Sequence, residues 1–280
     1  MSDYRRPLEA ARQEILKCPR CGQCRAYCPV FGELRDEASV ARARIALAKA
    51  LDDGKASASD EATKCLDECT LCMACVANCP SGVRVDGIVL AGRARLAQEL
   101  GVSKVKQAIF ALLAKRQDLL PPLAFAAATL QDIPFARLPE DTGLRLRFPV
   151  AGFDRQHVLP AVARTPLLRR LPTQVGEPAR GEVVYFVGCY DNYLDVKVGS
   201  DVVAVLVHNG YRVRLPREQG CCAMPMLANG VRPVALDLMR RNVDLLLSFG
   251  SAPVVAACAT CGSSLKHLYA ETFAAVGDRD

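Results

Sequence analysis

Fourteen cysteines in a chain of 280 residues are too many for ordinary packing, and they fall into three groups. The first is Cys18-x2-Cys21-x2-Cys24-x3-Cys28-Pro29, and the second repeats it as Cys69-x2-Cys72-x2-Cys75-x3-Cys79-Pro80. A cubane of four irons and four sulfides needs thiolates at the corners of a compact tetrahedron. A tight C-x2-C-x2-C loop supplies three of them, and in two-cluster ferredoxins the fourth cysteine of each run ligates the other cluster. The spacing therefore assigns Cys18, Cys21, Cys24 and Cys79 to one 4Fe–4S cluster, and Cys69, Cys72, Cys75 and Cys28 to a second. Structural zinc usually draws two cysteines from each of two separated pairs, which this spacing does not match. Each proline after the fourth cysteine offers no N–H near the cluster and is expected to stop the local helix. Arg20, Arg25, Lys64 and Arg84 flank the runs and could offset the negative charge of a thiolate-bound cubane. Cys65 fits neither run and reads as a spare thiol.

The third group is Cys189, the pair Cys221–Cys222, and Cys258-x2-Cys261. Its meaning depends on the elements that hold it. The last hundred residues alternate strand-like and helical runs: Val183–Val187, Leu194–Asn209, Tyr211–Leu215, Val231–Phe249, Val254–Ala257 and a short helix after Thr260. This β-α-β-α-β-α pattern predicts a small parallel sheet. Cys189 follows the first strand, Cys221 and Cys222 the second, and Cys258 and Cys261 the third, so all five fall at the carboxyl edge where such sheets bind ligands. Spacing alone leaves open a third iron–sulfur centre, a zinc site at Cys258 and Cys261 with two others, or five buried thiols.

Around the first two groups the pattern is helical. Ser39 is placed to cap a helix running to about Leu51, whose Val40, Ala43, Leu47 and Leu51 share one face, with Arg42, Arg44 and Lys49 on others. Asp86 is placed to cap another helix, ending at Gly101. The fold expected is α+β: an N-terminal α-helical two-cluster ferredoxin domain over 1–101, a helix and Pro-rich linker without a sheet of its own over 102–180, and a cysteine-rich α/β domain over 181–280. Within the linker the apolar run Leu119–Leu130 is interrupted by Pro121 and Pro122.

Composition narrows the function. Net charge is +6, with both signs interleaved, which argues against nucleic acid as a partner. The first residues, MSDYRRPLEAARQEILK, lack the apolar core of a secretory signal, so a reducing cytoplasm is the expected compartment. No apolar run reaches the roughly 20 residues that span a bilayer. The helix over 102–116, with Lys104, Lys106, Lys115 and Arg116 near an apolar face, is expected to pack on a partner or on its own core, with peripheral attachment to the inner membrane face as the alternative. His157, His208 and His267 are too scattered for a catalytic or haem site and read as structural. No Gly-rich nucleotide fingerprint follows the first predicted strand, so flavin or nicotinamide is assigned to a partner.

Gly188-Cys189, Cys221-Cys222-Ala223-Met224-Pro225, Asn229-Gly230 and Cys258-Ala-Thr-Cys261-Gly262 resemble one copy of the cysteine-rich CCG module. That module occurs in heterodisulfide reductase, in the glycolate oxidase iron–sulfur subunit and in the iron–sulfur component of anaerobic glycerol-3-phosphate dehydrogenase. The long separation from Cys28 to Cys69 resembles the α-helical ferredoxin domains in iron–sulfur subunits of respiratory dehydrogenases, and the segment following Cys79 is similar to the CCG-module subunits. The resemblance implies a third, non-cubane cluster on Cys189, Cys221, Cys222, Cys258 and Cys261. It also implies an electron-transfer subunit working with a flavoprotein dehydrogenase, of 2-hydroxy acid or glycerol-3-phosphate type, and a quinone or other acceptor. The alternative is a catalytic component of a thiol/disulfide reductase. Two departures stand out: Ala223 replaces the glycine expected after the paired cysteines, and a second module is missing.

Overall fold

A computed structural model describes residues 7–139, 142–148 and 157–276. They divide into two compact units. One comprises the chain up to Ala108 with Pro225–Leu236 and the residues from Glu271 onward, and the other comprises Ile109–Met224 with Asp237–Ala270.

The first unit is helical: α1 (Pro7–Leu16), α2 (Cys24–Tyr27), α3 (Pro29–Leu34), α4 (Ala41–Asp52), α5 (Asp60–Asp67), α6 (Ala74–Ala77) and α7 (Val85–Leu100). Its core gathers Leu8 and Ile15 of α1, Ile45 and Leu51 of α4, and Ile88 and Val89 of α7. Each fully buried aliphatic side chain such as Ile88 contributes about 2 kcal/mol. Gly92 on α7 permits the approach of α5, because a Cβ there would lie 2.7 Å from Leu66 Cδ1. Ser59 starts α5 by accepting a hydrogen bond from the Ala62 amide at 3.2 Å.

Several local expectations change here. Ser39 does not cap α4. It lies in a 3₁₀ turn started by Asp36, whose carboxylate accepts from the Ala38 amide, and the residue before α4 is Val40. Asp86 lies inside the first turn of α7 and is held by Arg84. Pro29 opens α3 at its first position, where the missing N–H costs nothing. The buried face of α4 carries Ala41, Arg44, Ile45 and Ala48, one step round from the stripe expected, so Arg44 is buried among apolar neighbours with 2% exposure.

Between the cysteine-rich regions lie α8 (Lys104–Lys115), α9 (Leu120–Leu130), β1 (Phe135–Arg137), β2 (Leu144–Leu146) and α10 (Leu167–Arg170). Pro121 and Pro122 fall in the first turn of α9, where a helix tolerates them, so this apolar run is a continuous helix. The segment expected to build no sheet forms an antiparallel hairpin, pairing Phe135 with Leu146 and Arg137 with Leu144.

The remaining elements are β3 (Gln174–Val175), β4 (Glu182–Tyr185), α11 (Cys189–Tyr193), α12 (Val196–His208), β5 (Arg212–Arg214), α13 (Met224–Ala228), α14 (Arg232–Leu247), β6 (Val254–Val255), α15 (Ala259–Ser263) and α16 (Tyr269–Val276). The sheet runs β3-β5-β4-β6: β5, β4 and β6 are parallel, and β3 is an antiparallel edge. Val183, Tyr185 and Val213 pack with Leu167 and Val203 into the core of the second unit.

Candidate functional site

The two ferredoxin-type runs fold by the same local device. Counting from the first cysteine of each, the residues two and four positions on have positive φ: Arg20 (60°) and Gly22 (84°) in one loop, Leu71 (55°) and Met73 (62°) in the other. A left-handed backbone costs an L-residue about 1–2 kcal/mol. Two such reversals within five residues curl each loop around a hollow, and the short helices α2 and α6 then carry Cys24 and Cys75.

One hollow is walled by Cys18, Cys21, Cys24 and Cys79, with Cys75, Arg20 and Arg42. The other is walled by Cys28, Cys69, Cys72 and Cys75, with Arg44 and Asp86. Each thus gathers three cysteines of one run and the fourth of the other, and Cys75 belongs to both walls. In the first hollow the Val83 amide donates to Cys79 Sγ at 3.4 Å, and the Arg42 amide donates to Cys24. Burial pushes the Cys75 thiol up to about 12, with repulsion from Cys69 and Cys24 adding to it, and burial likewise raises Cys24. Thiols so placed ionise reluctantly in water, whereas a bound metal deprotonates them outright.

Among the described residues no group of three or more His, Cys, Asp and Glu side chains is arranged to hold a metal ion as it stands. A four-iron cubane takes thiolates spread wider than one ion does, so the walls of each hollow are the relevant test of fit. The second hollow supplies that test. Arg44 donates from Nε to the Cys65 carbonyl at 2.9 Å, while its Nη2 is buried with no partner. An orphaned cationic donor beside four thiols suits an electron-rich group in that space. Arg93 on α7 is also buried, and its guanidinium donates to the carbonyls of Leu66, Asp67, Cys69 and Ala228, the Cys69 bond being 2.6 Å. Arg93 therefore ties down the first cysteine of the second loop. Residue type alone marks neither arginine, but Arg44 stands three residues after Ala41 and four before Ala48 on an apolar stripe, which is the signal for it.

Of the flanking cations considered from the sequence, Arg20 lines the first hollow and Lys64 is exposed. Arg25 pairs with Glu37 and covers the Phe31 ring, and Arg84 is bound by Asp86 and Glu271. Cys65 lines neither hollow, and its thiol donates to the Ala38 carbonyl at 3.2 Å. All three histidines are exposed.

In the second unit Cys189 begins α11, Cys221 and Cys222 follow β5, and Cys258 precedes α15, which carries Cys261. Their side chains form a continuous run of neighbouring thiols: Cys189 contacts Cys221, Cys221 contacts Cys222, Cys222 contacts Cys261, and Cys261 contacts Cys258. Hydrogen bonds from Cys221 and Cys261 pull Cys222 well below the usual thiol range, while bonds to Cys189 and Cys222 drive Cys221 up and the bond to Cys222 drives Cys261 up. Gly188 makes the approach possible, since a Cβ there would lie 3.2 Å from Cys261 Sγ. The supports are specific. Asn242 accepts from the Gly220 amide at 2.8 Å and donates to the Cys221 carbonyl at 2.8 Å, and the Ser264 hydroxyl donates to the Cys222 carbonyl at 2.8 Å. Ala223 is fully buried with φ of 64°, which explains why glycine is expected there.

A cavity of about 380 Å³ opens beside this group, walled by Cys189 and Cys221 with Tyr193, Arg169, Arg217 and Gln219. Gln219 accepts from the Val187 amide at 2.9 Å, and its buried Nε2 has no partner.

Two compact arrays of thiols in a helical unit and a third array on an α/β sheet define an iron–sulfur protein of two modules. Residues 14–83 match the 4Fe-4S dicluster domain and residues 183–266 match the cysteine-rich domain known as CCG. The chain is similar to the probable glycolate oxidase iron-sulfur subunit of Bacillus subtilis, with 25% identity over 90% of this chain and 58% of that protein. It is also similar to the glycolate oxidase iron-sulfur subunit of Escherichia coli, with 28% identity over 95% of this chain and 61% of that protein. The C subunit of anaerobic glycerol-3-phosphate dehydrogenase of Escherichia coli matches at 32% identity over 33% of this chain and 24% of its own length. The chain thus spans about three-fifths of the length of the glycolate oxidase subunits it matches. No solved structure gives a significant match.

Proposed function

We propose that the chain is an electron-transfer component of a multi-subunit oxidoreductase, relaying electrons between a flavoprotein dehydrogenase and a quinone or other acceptor. The observation that carries this reading is the pair of hollows, each walled by three cysteines of one run and the fourth of the other. In it, Cys18, Cys21, Cys24 and Cys79 hold one 4Fe–4S cluster, and Cys69, Cys72, Cys75 and Cys28 hold the second. Bound there, the clusters supply one-electron redox capacity. The protein's part is to hold the thiolates, back them with the α4 and α7 core, and keep the two sites adjacent through Cys75. Cys189, Cys221, Cys222, Cys258 and Cys261 hold a third centre, for which a non-cubane cluster is favoured over zinc by the five contiguous thiols. The names of the relatives point to a 2-hydroxy acid or glycerol-3-phosphate type of partner dehydrogenase.

Anaerobic reconstitution followed by iron and sulfide analysis tests the core of this reading. About eight irons or more per chain are expected, and fewer would refute two cubanes.

The cavity beside Cys189 favours a second reading, in which a small molecule is reduced at the third centre itself. Replacing Cys222 by Ser separates the two. Loss of disulfide reduction with the ferredoxin-type signals intact supports this reading, and a wild-type complex without any disulfide reductase activity counts against it. Among the described residues no helix is long and apolar enough to cross a membrane. Exposed Val105, Ile109, Leu123 and Phe125 on α8 and α9 support docking to a partner or a membrane surface, which liposome flotation separates.

A further inference from the structure

The two hollows have the same cysteine pattern but differ in how the cation in each wall is buried and paired. At the first, the nearest guanidinium besides exposed Arg20 is that of Arg42, which is partly exposed and paired to Glu37 at 2.7 Å. At the second, Arg44 is 2% exposed, forms no ion pair among the described residues, and leaves Nη2 without a partner. The carboxylate in that wall, Asp86, is held by Arg84 through two hydrogen bonds of 3.1 and 2.8 Å, so it does not neutralise Arg44. A buried cation is retained at a net cost unless an anion compensates it, and the cost grows as its surroundings become drier.

We propose that Arg44 is the built-in counter-charge of the second cysteine hollow, so that the cluster held by Cys28, Cys69, Cys72 and Cys75 is the more easily reduced of the two. The inference rests on the two-cluster reading. A thiolate-bound cubane is an anion and gains a further negative charge when it accepts an electron, so an unshielded positive charge in its wall favours the reduced form. Water and Glu37 screen the corresponding charge at the first hollow. The amide donors to Cys79 and Cys24 act in the opposite sense, stabilising reduction of the first cluster, but these are partial dipoles set against a full buried charge. Electrons arriving from either direction would then collect on the second cluster. Arg44 acts there as a positioning and tuning residue, not a ligand.

The test is an EPR-monitored redox titration of reconstituted full-length wild type, Arg44→Met and Arg44→Lys, with Cys21→Ser and Cys72→Ser identifying which signal belongs to which hollow. Iron content is measured in parallel, so that failure of the two-cluster reading shows as missing iron in the wild type and is distinguishable from failure of this inference. With both clusters present, Arg44→Met is expected to lower the reduction equilibrium constant of the second cluster tenfold or more, about 59 mV for a one-electron couple, while the first does not move. Arg44→Lys should recover most of the shift. Unchanged potentials, equal shifts in both clusters, or a wild type whose first cluster is reduced more easily would overturn the proposal. Should Arg44→Met lose the second cluster, its retention in Arg44→Lys shows that the charge is what holds it. Loss in both variants reduces Arg44 to packing and overturns the proposal.

Discussion

The two ferredoxin-type loops share a cysteine spacing and a backbone course, yet differ in what surrounds them. The first loop has a glycine at its second left-handed position and a cation that is partly exposed and paired. The second places leucine and methionine in the left-handed conformation and is braced by two buried arginines, Arg44 and Arg93. Ligand spacing sets which cofactor a loop can hold, while the second layer of residues differentiates two sites that would otherwise be equivalent.

Removing ligands breaks this comparison most severely. Cys21→Ser and Cys72→Ser should each cost about four of the irons per chain. The crossed walls predict that Cys28→Ser loses the same EPR component as Cys72→Ser, and that Cys79→Ser loses the same one as Cys21→Ser. Agreement of Cys28→Ser with Cys21→Ser would uncross the assignment.

The next effect belongs to the brace. Arg93→Leu strands the carbonyls of Leu66, Asp67, Cys69 and Ala228, and should destabilise the reconstituted protein by about 3 kcal/mol in chemical denaturation. The second cluster should be lost to a chelator sooner than the first. Equal loss of both clusters would mean that the brace serves the whole unit.

Backbone substitutions sharpen the comparison at smaller cost. Met73→Gly gives the second loop the glycine that the first has at this position and should stabilise it by about 1 kcal/mol, read as a shift in the denaturation midpoint. Gly22→Ala should destabilise by a similar amount, about 1 kcal/mol, since its Cβ would also lie 2.9 Å from Arg42 Nη1. Smallest is Ala223→Gly in the third cysteine group, where relief of a left-handed alanine is partly offset by a lost buried methyl, for a net gain below about 1 kcal/mol.

The cysteine loops are legible in the sequence because a tight loop with three thiols at fixed intervals has few other uses, and the crossing of the fourth is expected from the pattern of two-cluster ferredoxins. The third group became meaningful only once strands and helices were laid out, since chain spacing says nothing about residues that meet at a sheet edge. Arginine in a helix reads as solvent-facing, which passes over Arg93 and sets Arg44 on the wrong face, because a shift of one residue in the stripe of α4 decides whether Arg44 points outward. The left-handed Leu71 and Met73 carry no glycine to announce them. Pro121 and Pro122 looked like breakers, but at the first turn of α9 they remove only N–H groups that a helix leaves unpaired. The β1–β2 hairpin has three-residue strands, too short to show alternation against a proline-rich background.

Whether the first unit holds two adjacent cubanes, as proposed, is decided by an anaerobic EPR-monitored redox titration of the wild-type chain with iron counted on the same sample. Because Cys75 belongs to both walls, the expected result is two one-electron waves, about eight irons in the ferredoxin-type unit, and spectra broadened by coupling between two reduced clusters. A single wave with about four irons, or a colourless protein loaded with zinc, would contradict it.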